Sequence, residues 1–155
     1  MKPSGALVKI ATESAYRQAL KSFEEGGVPV GAALTCGGAV VAQGHNRRVQ
    51  KGSNILHGEM DCLENAGHAH DFTQCVMFTT LSPCRMCANA IILFRIPFVY
   101  ILDNVNTDDF ETNEDLLAAS GVSVIVAPHE PSMALNRKFQ TDPKTRPIWT
   151  GDVGE

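Results

Sequence analysis

The chain has 155 residues, of which 44% are apolar and 19% charged, and carries a formal net charge of −4. That size suits one domain with a true core, and the composition excludes collagen, coiled coil and a disordered chain. The acidic balance argues against a nucleic-acid polymer as partner, because phosphate contacts need a basic patch. The basic residues are instead spread out, the densest groups being Arg47, Arg48 and Lys51, then Arg137, Lys138, Lys144 and Arg146.

In chain order, residues 6–25 read as a helix with Leu7, Ile10, Tyr16, Leu20 and Phe23 near one face and Gly26-Gly27 as its stop. Residues 30–36 and 39–43 read as two strands joined by Gly37-Gly38, a hairpin signal because glycine takes positive φ without steric cost. Residues 56–66 have helical composition and end at Gly67, and residues 75–80 read as a strand. Pro83 suits the first turn of a helix running over residues 84–94. Residues 98–102 and 122–127 read as strands, with a short helix at 115–119 between them and a last helix from Pro131 to about Phe139. The tail over residues 142–155 carries Pro143, Pro147 and glycines, and is expected to be irregular. No repeat or linker divides the chain, so a single domain over residues 1–155 is expected. Alternating helix and strand signals predict an α/β fold, a three-layer α/β/α sandwich around a five-stranded mixed sheet.

The first residues lack a continuous apolar leader, and no run approaches the roughly 18 apolar residues of a membrane helix. With five cysteines, an odd number, the expected setting is a reducing cytoplasm in which cysteines serve as core residues or metal ligands.

Two short motifs carry the chemistry, His57-Gly58-Glu59 and Ser82-Pro83-Cys84-Arg85-Met86-Cys87. One imidazole and two thiolates make three zinc ligands, and a catalytic zinc leaves its fourth position open for water. Cys84 and Cys87, three apart at a helix start, can aim both sulfurs one way, and a helix N-terminus favours the thiolate. Glu59, two residues after His57, can reach a metal-bound water without binding the metal, as a proton shuttle must. Alone, Cys-x-x-Cys is as readily a structural zinc site, a redox pair or two core thiols. The order H-x-E then P-C-x-x-C, with each motif at a predicted helix start, is the zinc deaminase signature. A structural site needs a fourth ligand, and the candidates are Cys36, Cys62, Cys75, His45, His68, His70 and His129. Cys62 and Cys75 fall in core patterns, His68 and His70 in a loop, and none has ligand spacing, so the fourth position is expected to be open.

At these residues the sequence resembles the cytidine and deoxycytidylate deaminase superfamily, and within it fungal-type cytosine deaminases. The resemblance runs through Gly26 to Gly31, Gly44 to Arg47, Gln50 to Ser53, Leu56 to Glu59, Leu63 to Asn65, Thr79 to Cys84, Asn104-Val105-Asn106 and the tail Trp149 to Glu155. It implies a zinc-dependent hydrolytic deaminase of a free nucleobase, cytosine to uracil and ammonia, with one zinc ion held by His57, Cys84 and Cys87. Glu59 would be the catalytic proton shuttle. Asn46 would hydrogen-bond the base carbonyl, and the Ser82 backbone would accept from the exocyclic amine. Asp152 would accept from the ring N–H that a free base alone offers, Trp149 would close the pocket, and Val30 would wall it. Residues 142–155 would then be a tail closing the site, against the bland reading of a solvated end.

One departure stands out. The family places an aromatic residue directly after Asn-Val-Asn, whereas this chain has Thr107, Asp108 and Asp109 before Phe110. Either Phe110 swings into the pocket or the pocket is more open and polar. The alternatives are another amino-heterocycle (guanine, isocytosine or a pterin), a polynucleotide-editing deaminase, and a zinc-stabilised binding domain without catalysis. No membrane or nucleic-acid partner is expected. A homodimer is, with the apolar stretch 88–94 serving either as its interface or as core.

Overall fold

The computed structural model describes residues 2–153. Its five-stranded sheet has the order β2-β1-β3-β4-β5, formed by β1 (Gly31–Cys36), β2 (Ala39–His45), β3 (Cys75–Thr79), β4 (Phe98–Ile101) and β5 (Ser123–Val126). Strand β1 runs antiparallel to both β2 and β3, while β3, β4 and β5 are mutually parallel, so the sheet is mixed as expected. The connections explain the directions. Gly37 and Gly38, at φ 62° and 87°, close the β1–β2 turn as a hairpin. Parallel neighbours instead need crossovers, supplied here by the helices α4 (Arg85–Leu93) and α5 (Glu114–Ala119).

Side chains alternate across the sheet and both faces are covered. Ala32, Leu34, Met77, Val99 and Ile101 pack with Cys62, Ala88, Ile91 and Leu117 on one side, beneath α3 (Gly58–Ala66), α4 and α5. Ala33, Phe78, Tyr100 and Leu102 pack on the other against Ala11 and Ala15 of α1 (Gly5–Glu24). Burial on both faces is why β3 reads as an apolar run from Cys75 to Phe78. The third layer is completed by α6 (Glu130–Thr141).

The buried face of α1 differs from the expectation. Leu7, Ala11, Ala15, Ala19 and Ser22 are buried, whereas Ile10 is 59% exposed and Tyr16, Leu20 and Phe23 are half-buried. The helix lies so close to β1 that a Cβ on Gly31 would stand 2.2 Å from the Ala15 carbonyl oxygen. Only small side chains fit that gap, so size overrides hydrophobicity in choosing the face.

Three further elements go beyond those the sequence predicts. A single turn of helix, α2 (Arg48–Lys51), and a 3-10 turn over Phe72–Gln74 are too short for periodicity to show. The expected irregular tail contains α7 (Arg146–Asp152), which Pro147 near its start permits and the buried Trp149 anchors. Pro83 lies just before α4, whose N-cap is Cys84, rather than in its first turn. Gly154 and Glu155, which the tail resemblance includes, lie outside the described residues.

The middle of α3 is held by another close approach. A Cβ on Gly44 of β2 would stand 2.3 Å from the Cys62 backbone nitrogen. Gly44→Ala is expected to cost about 2–3 kcal/mol, as overpacking against backbone does. Thermal melting should show a drop of roughly 4–12 °C; an unchanged midpoint would mean that α3 can shift freely.

Candidate metal centre and active site

Helices α3 and α4 aim their N-termini at one point. His57 caps α3 and Cys84 caps α4, both with extended backbone and neither with a capping side-chain hydrogen bond. Their side chains are therefore free to turn toward each other. Gly58 lets the helix start press on β1, since a Cβ there would lie 2.9 Å from the Val30 carbonyl oxygen. Cys87 follows one turn into α4 on the same side as Cys84.

His57 Nδ1 lies 3.4 Å from Cys84 Sγ and 3.7 Å from Cys87 Sγ, and the three candidate ligand atoms all fall within 4.8 Å of one another. A tetrahedral zinc with ordinary Zn–N and Zn–S bonds separates its nitrogen and sulfur ligands by about 3.5 Å. The three residues therefore fit a zinc ion. Among the described residues no fourth His, Cys, Asp or Glu joins them. Cys62 and Cys75 are fully buried in the core, His68 is exposed, and His45 is occupied with Gln18 and Glu25.

Over this centre lies a cavity of ≈ 350 Å³, lined by Val30, Asn46, His57, Glu59, Leu81, Ser82, Cys84, Phe110, Trp149 and Asp152 among others. Every residue expected at the site borders it except Cys87, which is fully buried. Asn46 accepts a hydrogen bond from the Arg48 backbone N–H at its Oδ1 (2.9 Å), which turns its Nδ2 inward, 3.5 Å from Asp152 Oδ2. The Ser82 N–H donates to the Asp103 carbonyl (2.8 Å), and its hydroxyl donates to Glu114 Oε2 (2.7 Å). Asp152 Oδ1 lies 3.5 Å from His57 Nε2 and 3.8 Å from Arg48 Nε, ion-pair distances, yet it is buried and takes no hydrogen bond among the described residues. Phe110 meets the Trp149 ring edge-on, with centroids 6.0 Å apart. Of the two possibilities left by Thr107, the structure takes the first: Phe110 enters the pocket wall.

The Glu59 carboxyl and the Cys84 thiol are tuned for proton and metal chemistry. Burial pushes the Glu59 carboxyl up to about 7, and the Cys84 sulfur adds to the push. The Cys84 thiol is held down at about 4 by hydrogen bonding with Cys87 and, against the opposing effect of burial, by His57. The same pairing, with burial, raises the Cys87 thiol. Burial works against the His57 imidazolium, but Asp152 and the Cys84 sulfur outweigh it and raise its pKa to about 10.

Residues 6–103 match the cytidine and deoxycytidylate deaminase zinc-binding region. The chain belongs to that family. A cytosine deaminase from Candida albicans is 42% identical over 151 residues, covering 95% of this chain and 97% of that protein. A tRNA-specific adenosine deaminase from Bacillus subtilis is 36% identical over 87 residues, 54% of each chain. A guanine deaminase from Nitrosomonas europaea has the same fold, with a TM-score of 0.73 at 21% identity over 89% of this chain and 85% of that one. The chain is thus a hydrolytic deaminase, with a zinc-binding domain in which His57, Cys84 and Cys87 form the potential metal site.

Several residues that shape the deaminase's site gave no signal in the sequence. Asp103 is buried and accepts from the backbone N–H groups of Val105 and Asn106 and from the side chains of Asn106 and Asn136. Asn104-Val105-Asn106 is therefore a turn that ties β4 to α6, rather than a set of pocket side chains. Glu114 holds Ser82, while Asp109 and Arg146 join the Phe110 loop to α7. An Asp before Asn-Val-Asn could have been read as a turn acceptor. The Glu114 and Asp109 contacts span 32 and 37 residues and left no local trace.

Proposed function

We propose that this deaminase converts a free pyrimidine base, cytosine, to uracil and ammonia. The observation that carries the reading is Asp152 Oδ1, a buried acceptor facing the cavity that lacks a hydrogen bond among the described residues. Its ion-pair contacts with His57 and Arg48 leave carboxylate lone pairs for the cavity, and a ligand N–H would use them. Cytosine offers a ring N–H, a carbonyl oxygen and an exocyclic amine in series. These complement the Asp152 carboxylate, the inward Asn46 Nδ2 and the Ser82 carbonyl. A nucleoside carries a sugar where the ring N–H would be. The likeness to the Candida albicans cytosine deaminase over nearly the whole chain supports the same substrate.

His57, Cys84 and Cys87 would hold the zinc, and zinc bound there would supply an activated water at neutral pH. Glu59 would hold the proton taken from that water, deliver it to the ring nitrogen next to the amine-bearing carbon, and carry a second proton to the leaving amine. Asn46, Ser82 and Asp152 would fix the ring in its plane, with Val30, Phe110 and Trp149 excluding water from its faces.

The test is a panel of cytosine, cytidine, isocytosine, guanine and a pterin, scored by ammonia release. Cytosine should exceed cytidine in kcat/KM by about 10⁴-fold, the discrimination expected of a site built around a substrate N–H. Comparable rates on the two would overturn the free-base reading, and preference for guanine or a pterin would overturn the pyrimidine. Asp152→Asn should lower kcat/KM for cytosine by about 10- to 100-fold, mainly through KM, as loss of a charge-assisted hydrogen bond does. An unchanged KM would remove Asp152 from the substrate contacts.

The same reading puts the enzyme in pyrimidine salvage, in the cytoplasm, as a homodimer. Within the stretch 88–94, Ala88, Ala90 and Ile91 are core, while Leu93 and Phe94 are 73% and 40% exposed and Ile55 nearby is 59% exposed. These apolar side chains favour a second copy as cover.

A further inference from the structure

The loop between β4 and α5 is where this chain departs from the resemblance, and one carboxylate fastens it to the C-terminal helix. Asp109 Oδ2 accepts from Arg146 Nη1 at 2.6 Å and from Trp149 Nε1 at 2.9 Å, while Oδ1 accepts from Arg146 Nη2 at 2.8 Å. Arg146 and Trp149 lie three apart in α7, on one side of it, so a single carboxylate can meet both. The guanidinium fork also donates through Nη1 to the Gln140 carbonyl at 3.2 Å, which brings the end of α6 into the same knot. Phe110, the next residue after Asp109, takes its edge-on position against Trp149. Asp152, at the far end of α7, faces the cavity. The carboxyl of Asp109 is held below its usual range by Arg146 and Trp149, in keeping with an ionised acceptor.

We propose that Asp109 is a positioning residue of this deaminase: by clasping Arg146 and Trp149 it holds the Phe110 loop and α7 together as one cover, and so sets the enzyme's affinity for the base. It touches neither the metal ligands nor Glu59, and acts only through the two aromatic rings and the helix that carries Asp152. A bidentate fork to carboxylate gives direction as well as attraction, which a lysine cannot reproduce. The side chains of Asp109 and Arg146 are 24% and 39% exposed, so salt reaches the clasp.

The proposal rests on reading the cavity as the base site, and the experiment separates the two. Trp149 is the chain's only tryptophan, so its emission reports the clasp directly with no substrate present. In Asp109→Asn and Asp109→Ala the emission should shift to the red, and the acrylamide quenching constant should rise several-fold. The wild type in 1 M NaCl should move the same way, with Asp109→Asn showing little further change. Arg146→Lys should fall between wild type and Asp109→Ala. With cytosine as substrate, KM should rise at least 10-fold in the Asp109 variants while kcat changes less than 3-fold. Unchanged emission and quenching would overturn the clasp, whatever the substrate. Altered quenching with an unchanged KM would show that the cover does not control affinity and overturn the positioning role. A wild type that leaves cytosine untouched would count against the substrate reading alone, because the fluorescence comparison stands without it. Far-UV circular dichroism identifies any variant that has lost its fold, and the salt series on wild-type protein still decides the clasp in that case.

Discussion

Glu59→Gln is expected to keep one zinc per chain and lose turnover by about 10³- to 10⁴-fold, about 4–5.5 kcal/mol of barrier. The carboxyl is 3% exposed, at the second position of α3, next to the ligand His57 but outside the three-ligand group. Burial pushes its pKa to about 7, where a carboxyl can both take and give a proton near neutral pH. Glutamine keeps the size and one acceptor oxygen but cannot carry a proton between two sites. Zinc quantified in the same sample as ammonia release makes the comparison. Near-normal ammonia release with full metal would remove Glu59 from the chemistry. Loss of metal in step with activity would make it a ligand instead.

Cys87→Ala is expected to lose the metal and, with it, activity and stability together. Zinc content should fall from near one to below about 0.1 per chain, since two protein ligands do not hold a structural or catalytic zinc. The side chain is also fully buried, so removing the sulfur leaves a small void in addition to the missing bond. A ligand that binds only the folded state raises its melting temperature. The wild-type melting point should therefore fall on chelation and recover with zinc, while that of the variant should respond to neither. A variant that kept stoichiometric zinc would mean that the metal is held by other residues.

Those two expectations follow from motifs that are legible without any structure, and the reason is local. A ligand pair three residues apart at a helix start, and a histidine and glutamate straddling one glycine at another, are fixed by helix geometry over a few residues. Alternating apolar strands, Gly37-Gly38 and the Gly67 stop belong to the same class, and strand count, sheet type and layers followed from them. The tail and the first helix did not. Proline and glycine hid α7 because its stability comes from burying Trp149 and not from propensity. The face of α1 turns on the gap to β1, which beside Ala15 and Ala19 admits only small side chains that hydropathy alone does not single out.

The amino-acid sequence by itself determined which three side chains come together as a potential metal site, which carboxyl stands beside them, and the α/β frame that carries both. Only the tertiary structure decided the shape of the pocket above them. Phe110 enters the pocket wall in a loop whose Asp109 meets Arg146 and Trp149, 37 and 40 residues further along the chain. The Ser82 hydroxyl meets Glu114 in the same way. Such pairs form because folding brings distant polar groups into a space where each must be satisfied, and neither partner marks the other along the chain.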